Sequence, residues 1–346
     1  MNKNFIYHNE TNIKKINFDN SDNFDSKKIS LVLSNNPLII MKHWIKFQQE
    51  WVRNTYDHFK DHEKYIILMY LISKTWQDSS NLFKFYSIDE YYSQNEINLP
   101  TIALSEISKD LMMPKETIRR KLVELEKQKI IKRNGQKIIL VKLALSVQKP
   151  EISIKALSIF FEKLSILLSE QAWFGPAISK EDIEKYFKKY YTVFWYHFFK
   201  LQIPFLVKWK TVFGDLESWR IWANMGINQS LNLEKISKKL NTEIKSLDNN
   251  QESLYFDSIR INEPVHGINA SSISEISGIP RATVLRKLKK LLREKIIKRN
   301  KKLEFFLTND GNLNEKIKAN FLINQRHIAL FVTNIFSLIK KSALKI

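Results

Sequence analysis

Apolar residues recur at helical spacing over most of this 346-residue chain. From 37 to 76 the spacing predicts two helices. Further apolar helices are predicted over 152–168, 186–213, 216–231 and 317–339. We expect the segment 186–213 to break near Pro204, because proline lacks a backbone N–H and clashes with the preceding turn. The pattern predicts a mostly α-helical fold with small β-hairpins.

One stretch of the sequence occurs twice. Aligned without a gap, residues 107–134 and 273–300 are identical at 14 of 28 positions. The identities include Pro114/Pro280, Thr117/Thr283, Arg-Lys-Leu at 120–122 and 286–288, and the closing Lys-Ile-Ile-Lys-Arg-Asn. A unit that is carried twice is expected to act twice, so its function should be that of the protein.

Each copy is predicted to form two helices joined by a tight turn, followed by a β-hairpin. In the second copy, Ser272 and Glu275 fit a capping box that starts the first helix, and Gly278 ends it. Pro280 then suits the first turn of the next helix, where a missing N–H costs nothing. The buried stripe of this helix is predicted at Val284, Leu288 and Leu291, matching Ile118, Leu122 and Leu125 in the first copy.

This order of elements is that of a winged helix-turn-helix. Residues 273–288, ISEISGIPRATVLRKL, resemble the DNA-reading segment of IclR- and MarR-type bacterial transcription regulators. The first copy is similar but has Met112 where the family has a glycine, and its hairpin carries the strong turn signal Asn134-Gly135. The resemblance implies a mostly α fold with small β-hairpin wings, built as two winged helix-turn-helix units.

The flanks of the two copies also echo one another. The segments 37–44 (PLIIMKHW) and 204–209 (PFLVKW) are weakly alike, and an apolar helix follows each copy. We therefore expect a pseudo-two-fold helical framework around a duplicated unit of about 165 residues. The expected organisation is a disordered tail at 1–28, a helical N-terminal region at 29–99, the first winged helix-turn-helix at 100–145, a central helical region at 146–264, the second winged helix-turn-helix at 265–310 and a C-terminal helix at 311–346.

The chain has a formal net charge of +20, which attracts polyanions. Residues 105–142 hold 11 basic and 5 acidic residues and 271–308 hold 11 and 3, so the repeat carries most of the excess. That distribution favours nucleic acid over a membrane surface. The sequence contains no cysteine, no secretory leader pattern and no apolar run of membrane-spanning length, so we expect a cytoplasmic, nucleoid-associated protein.

By the resemblance, the helices that begin at Pro114 and Pro280 lie in the major groove of double-stranded DNA. Arginine can bond guanine, glutamate can accept from cytosine and leucine can touch a thymine methyl, so two unlike half-sites are expected. The helix candidates are Lys115, Glu116, Arg119 and Arg120 in the first copy and Arg281, Leu285, Arg286 and Lys289 in the second. The hairpins add Lys132, Arg133 and Lys137, and Lys298, Arg299, Lys301 and Lys302, for phosphates or the minor groove.

We predict a sequence-specific transcription regulator that reads an asymmetric site as a monomeric pseudodimer. Two alternatives stay open: a plasmid- or phage-type replication initiator, and a winged-helix partner of a chromosome-organising complex. No glycine-rich phosphate loop or nucleophile elbow occurs, so we expect no enzymatic activity and no cofactor. His58 and His62 lack a third ligand, so we expect no metal. The aromatic run 186–199 is expected to be packing, and a small-molecule effector stays unknown.

Overall fold

A computed structural model describes residues 15–16, 24–36, 40–76, 83–84, 86–99, 101–135, 137–146, 150–239 and 267–343. These residues are mostly helical, with small antiparallel sheets, which confirms the fold class predicted from the apolar spacing. None of the described helices combines the length and the apolar character needed to cross a membrane. The last part of the central helical region expected at 146–264 lies outside the described residues.

The elements follow in chain order. The N-terminal part contains β1 (Lys15–Ile16), α1 (Ser26–Asn35), a π-helical turn (Ile40–Ile45), α2 (Lys46–Phe59), α3 (His62–Ser73), β2 (Phe83–Lys84) and α4 (Ile88–Tyr92). The first repeat contains β3 (Glu96–Asn98), α5 (Leu104–Leu111), α6 (Lys115–Lys127), β4 (Ile131–Asn134) and β5 (Lys137–Val141). The central part contains α7 (Lys142–Ser146), α8 (Pro150–Ser169), α9 (Lys180–Lys189), α10 (Tyr191–Phe213) and α11 (Leu216–Lys239). The second repeat contains α12 (Ala270–Ser277), α13 (Arg281–Arg293), β6 (Ile297–Arg299) and β7 (Phe305–Leu307), and α14 (Asn314–Ala343) follows it.

Helix α1 begins within the segment that we expected to be a disordered tail at 1–28. The side chain of Asp25 caps it by accepting a hydrogen bond from the backbone N–H of Lys27 at 2.8 Å. Ile29 and Leu33 are buried where α1 packs against α14. The two apolar side chains stand among polar neighbours, so the sequence alone does not mark the helix, and their burial against a distant segment stabilises it.

The aromatic run 186–199, which spans the end of α9 and the first part of α10, is largely buried in the core, which confirms that it serves packing. Trp195 is 1% exposed and stacks on Trp51 with 6.4 Å between ring centroids, and Phe198 meets the same ring edge-on at 4.7 Å. The break predicted near Pro204 is wrong, because α10 runs through this residue to Phe213. Burial on α3, α11 and α14 offsets the roughly 3 kcal/mol that an internal proline costs a helix.

A helical corner joins α2 to α3. Phe59 ends α2 and is buried, and Lys60 turns the chain in the left-handed region with φ 51°. Asp61 then caps α3 by accepting from the backbone N–H groups of Glu63 at 2.8 Å and Lys64 at 3.3 Å. The corner thus consists of a buried phenylalanine, a left-handed residue and a capping aspartate.

A second corner with the same construction joins α10 to α11. Phe213 is buried, Gly214 is left-handed with φ 78°, and Asp215 accepts from the backbone N–H of Ser218 at 2.7 Å. The two corners are neighbours, since Lys210 near the end of α10 forms an ion pair with Glu63 at the start of α3.

The flank echo predicted between 37–44 and 204–209 does not coincide with these matching corners. Residues 204–209 lie in the interior of α10, whereas Ile40–Ile45 forms a π-helical turn ahead of α2. The two segments are alike in apolar composition but differ in their place in the fold. The matching construction occurs instead at 59–61 and 213–215.

We expect the stability of the fold to depend on the neutrality of His62. This residue follows the cap of α3 and packs against Tyr56 with ring centroids 4.8 Å apart and the rings tilted by 31°. Burial, with the nearby Arg220, lowers its pKa from 6.5 to about 3. Below about pH 6.5 the unfolded chain takes up a proton at His62 and the folded chain does not. As the pH is lowered from there, the free energy of unfolding should therefore decrease by up to ~1.4 kcal/mol per pH unit.

Urea unfolding of the wild type and of His62→Phe between about pH 7 and pH 4.5 tests this dependence. The phenylalanine keeps an aromatic ring beside Tyr56 and removes the titrating group. The variant should therefore show a pH slope smaller by close to one proton. Equal slopes for the two proteins would show that His62 does not carry the effect.

Candidate nucleic-acid interface

The two repeats fold alike, as two helices followed by a hairpin. The buried stripes predicted for the second helices are confirmed, with exposed fractions of 0–2% at Ile118, Leu122, Leu125, Val284, Leu288 and Leu291. In the first repeat the register pairs Asn134 with Lys137, which confirms the hairpin turn predicted at Asn134-Gly135. Each hairpin packs against the second helix of its own repeat.

The turn between the two helices has the same backbone conformation in both repeats. Gly278 ends α12 with φ 69°, and Met112 ends α5 with φ 49° although it carries a side chain. The same side-chain bond closes both turns: Ser108 Oγ donates to the carbonyl of Met113 at 2.6 Å, and Ser274 Oγ to that of Ile279 at 2.7 Å. The shared serine therefore accompanies the left-handed turn whether or not a glycine is present.

The capping box predicted at Ser272 and Glu275 is wrong. Helix α12 begins at Ala270, and its cap is Asn269, whose side chain accepts from the backbone N–H of Ser272 at 2.9 Å. The start is fixed from outside the helix, because Ile268 exchanges two backbone hydrogen bonds of 2.9 and 3.0 Å with Phe305. A local pattern could not reveal this pairing with a residue 37 positions away in sequence.

Strand β3 adds a third strand to the sheet of the first repeat. It pairs antiparallel with β5, so the strand order is β3-β5-β4. The sequence predicts a helical N-terminal region over 29–99, so the strand at Glu96–Asn98 corrects the end of that region. The bridge of Ile268 to Phe305 occupies the corresponding place before the second repeat.

Both repeats have a lysine at the same position of the second helix that contacts the framework. By framework we mean α2, α3, α10 and α11 with the corners that join them. Lys121 Nζ lies 2.5 Å from Asp61 Oδ2, and Lys287 Nζ lies 2.7 Å from Asp215 Oδ2. Both aspartates are the caps of the framework corners. Burial alone raises the pKa of each aspartate, but hydrogen bonds from the lysine and from the capped backbone hold it below its ordinary value. We call these two contacts the docking pairs.

The other docking contacts differ between the repeats. In the second repeat, framework arginines bond carbonyls at the end of α12: Arg53 to Ile276 at 3.1 Å, and the fully buried Arg220 to Ser277. In the first repeat, carboxylates of α5 are bonded by Tyr70 of α3, whose Oη lies 2.8 Å from Asp110, and by Lys74, the residue after α3, 2.8 Å from Glu106. The docking pairs are thus a contact that the two repeats have in common.

Every predicted site residue is exposed, and none is buried against the framework. The first basic surface comprises Lys115, Glu116, Arg119, Arg120, Lys132, Arg133 and Lys137. The second basic surface comprises Arg281, Leu285, Arg286, Lys289, Lys298, Arg299, Lys301 and Lys302. The sequence thus predicted which side chains face solvent, but not what they contact.

The first basic surface is largely neutralised by carboxylates of its own repeat. Four of its six basic side chains have an acidic partner: Arg119 with Glu116 at 2.7 Å, Arg120 with Glu124 at 4.0 Å, Arg133 with Glu126 at 2.5 Å, and Lys132 with Glu96. The hydrogen bond from Arg133 holds the pKa of Glu126 below its ordinary value. An incoming anion must compete with these carboxylates.

Few carboxylates of the described residues lie against the second basic surface. Within the described part of the chain, Lys298 is the one of its seven basic residues that has a carboxylate partner, Asp310 at 2.6 Å. Arg281 Nε donates to Ser271 Oγ at 3.3 Å, a neutral partner. The remaining five, Arg286, Lys289, Arg299, Lys301 and Lys302, have no described carboxylate within 4.0 Å.

Comparison with family models, with curated proteins and with solved structures finds no match to this chain. The chemistry of the two surfaces therefore rests on their residues. Guanidinium and ammonium groups without carboxylate partners suit a polyanion. Within the described residues, no group of three or more His, Asp or Glu side chains is placed to hold a metal ion.

Replacing Lys287 by methionine tests the docking pair of the second repeat. The variant keeps an apolar stem of similar length but leaves the half-buried Asp215 without its closest cation, with the more distant Lys290 still 3.6 Å away. We expect a loss of about 1–3 kcal/mol in the free energy of unfolding. Amide hydrogen exchange in α13 should also quicken, because the helix loses its contact with the corner.

The matched control is Lys289→Met, two residues along the same helix. Lys289 is exposed, so this change should alter stability by less than about 0.5 kcal/mol. Urea unfolding and hydrogen exchange compare the two variants. Identical midpoints and identical exchange in α13 would mean that the docking pair does not hold the repeat.

Proposed function

We propose that the chain is a sequence-specific double-stranded DNA-binding protein that regulates transcription through two winged helix-turn-helix units. The observation that carries the proposal is the division of each repeat into two faces. One face is buried and bound to the framework, and the other exposes basic side chains on the second helix and the hairpin. Arginine on such a helix matches the acceptors of guanine, and lysine on a hairpin matches phosphates.

The matched corners support a pseudo-two-fold arrangement of the two units. Each unit is docked through a lysine on the same turn of its second helix to a capping aspartate. The corners are joined by the ion pair of Lys210 with Glu63, so the two units are attached to neighbouring parts of one framework. Two covalently linked reading units raise the effective concentration of the second once the first is bound. A monomeric pseudodimer on an asymmetric site follows.

Selection of bound duplexes from a random pool by the full-length chain tests the proposed function. We expect enrichment of two unlike half-sites at a fixed spacing, and an affinity that falls steeply as salt rises. Footprints on genomic DNA then separate a regulator, bound at promoters, from a replication initiator, bound at repeated origin sequences. Absence of duplex binding at about 50 mM salt would contradict the proposal and favour a protein partner.

We propose that the two units contribute unequally to the affinity for DNA, because their basic side chains differ in how many bond a carboxylate. Cations that already bond a carboxylate must give up that bond to bind a phosphate, whereas unpaired cations release only counterions. Arg286 and Lys289 therefore contribute more than Arg119 and Arg120. The second unit anchors the complex, and the first adds selectivity.

Paired double variants measure these shares. Arg286→Ala with Lys289→Ala should weaken duplex binding strongly and reduce the slope of log K against log salt by up to ~1.8, at about 0.9 per phosphate contact. Arg119→Ala with Arg120→Ala should reduce the slope less. Glu126→Gln releases Arg133 and should instead tighten binding.

Fluorescence anisotropy with one selected duplex over a salt series provides the readout. The double variants remove equal formal charge, so each controls for the other. Equal loss of affinity and of slope in both, together with unchanged binding by Glu126→Gln, would show that compensation within the first unit does not matter.

A further inference from the structure

An exposed leucine stands at the tip of the second hairpin in an unfavourable backbone conformation. Strand β7 begins at Phe305, and Leu303 lies in the preceding turn. Its φ is 62°, in the left-handed region, and its side chain is 61% exposed. A leucine in this region is an outlier, because its Cβ crowds the backbone where glycine or asparagine fits.

The turn that holds this leucine is tightly bonded. The side chain of Asn300 accepts from the backbone N–H groups of Lys302 at 3.0 Å and Glu304 at 2.9 Å, and donates to the Glu304 carboxylate at 2.8 Å. The backbone N–H of Leu303 donates to the carbonyl of Asn300 at 3.1 Å. These bonds hold the tip in one conformation, with the apolar side chain of Leu303 in solvent. Its neighbours are Lys302 and Glu304, and the Glu304 carboxylate is bonded to Asn300.

Stability alone does not account for a leucine at this place. Its exposed side chain gains little from burial, and its backbone would be relieved by glycine or asparagine. An observed backbone outlier of this kind is a reason to look for a function. The neighbouring side chains, Lys301 and Lys302, are exposed cations without a described carboxylate partner, so the tip joins one apolar group to two positive charges.

We propose that Leu303 is an apolar wedge that enters the minor groove of double-stranded DNA and partly unstacks one base step. This inference rests on the proposed DNA binding and deepens it. Lys301 and Lys302 bind the phosphates beside the groove, and the bonded turn keeps the leucine directed at the bases. Apolar side chains inserted in this way kink the duplex toward the major groove, most easily at pyrimidine–purine steps.

The first hairpin supplies a contrast within the same chain. It closes by a short turn in which Asn134 pairs with Lys137, and Gly135 holds the left-handed position with φ 60°. A glycine there has no side chain to insert. We therefore expect one kink per complex, on the side of the second unit, at a TA or CA step.

The substitution Leu303→Gly separates the wedge from the fold. Glycine removes the apolar group and relieves the left-handed backbone, so the urea midpoint should stay unchanged or rise. DNA binding should move in the opposite direction, with affinity reduced several-fold and the bend lost. Leu303→Asn, which suits the same conformation but is polar, should behave like the glycine variant, and Leu303→Met should keep the bend.

The readouts are energy transfer between dyes at the ends of a short selected duplex, and fluorescence of 2-aminopurine placed at the expected step. Met112→Gly is the matched control, because Met112 is also left-handed, with φ 49°, and 67% exposed, but lies between helices of the first repeat. It should raise the urea midpoint and leave the bend unchanged. Lys301→Ala should lower the salt slope by about 0.9 and also keep the bend.

The outcomes distinguish this inference from the proposed function. Full bending and an unchanged 2-aminopurine signal with Leu303→Gly overturn the wedge while leaving DNA binding in place. A lower urea midpoint for both Leu303→Gly and Leu303→Asn shows that the leucine stabilises the turn, which also overturns it. Failure of the wild type to bind any duplex overturns the proposed function itself.

Discussion

The bond between a lysine of each repeat and an aspartate that caps a framework helix determines how the repeats are presented. The aspartate accepts from backbone N–H groups and from the lysine together, so its charge is compensated although it is partly buried. Successive helical residues point about 100° apart. The arginines that precede Lys121 and Lys287, Arg120 and Arg286, point away from the framework by this angle and are exposed.

Features set by neighbouring residues were accessible from the sequence. The buried stripes follow from spacing on one helix, and the turn of the first hairpin follows from Asn134-Gly135. Features set across the chain were not. The true cap of α12 depends on the pairing of Ile268 with Phe305, and the continuity of α10 past Pro204 depends on packing from three other helices. Local propensity gives way where burial supplies more free energy.

The sequence was sufficient to predict which basic side chains of the candidate site are exposed. It was not sufficient to predict which of them bond a carboxylate. Lys132 meets Glu96, 36 residues earlier in sequence, and this partner lies on a strand that polar composition hides. The docking pairs did leave a signal, since the motif Phe-x-Asp followed by a helix occurs at both 59–61 and 213–215. Its offset differs from that of the repeat, so a search at constant spacing overlooks it. No pattern in the sequence indicates the left-handed conformation of Leu303.

Comparison of the repeats separates the positions that hold them from those that differ between them. Lys121 and Lys287 are the same, because each bonds the aspartate of a framework corner of the same construction. The exposed positions 115, 116 and 119 carry Lys, Glu and Arg, whereas 281, 282 and 285 carry Arg, Ala and Leu. In a symmetric dimer such differences could not arise, since one sequence would serve both units. A single chain can change one exposed face while it keeps both docking pairs, and that freedom is what an asymmetric binding site requires.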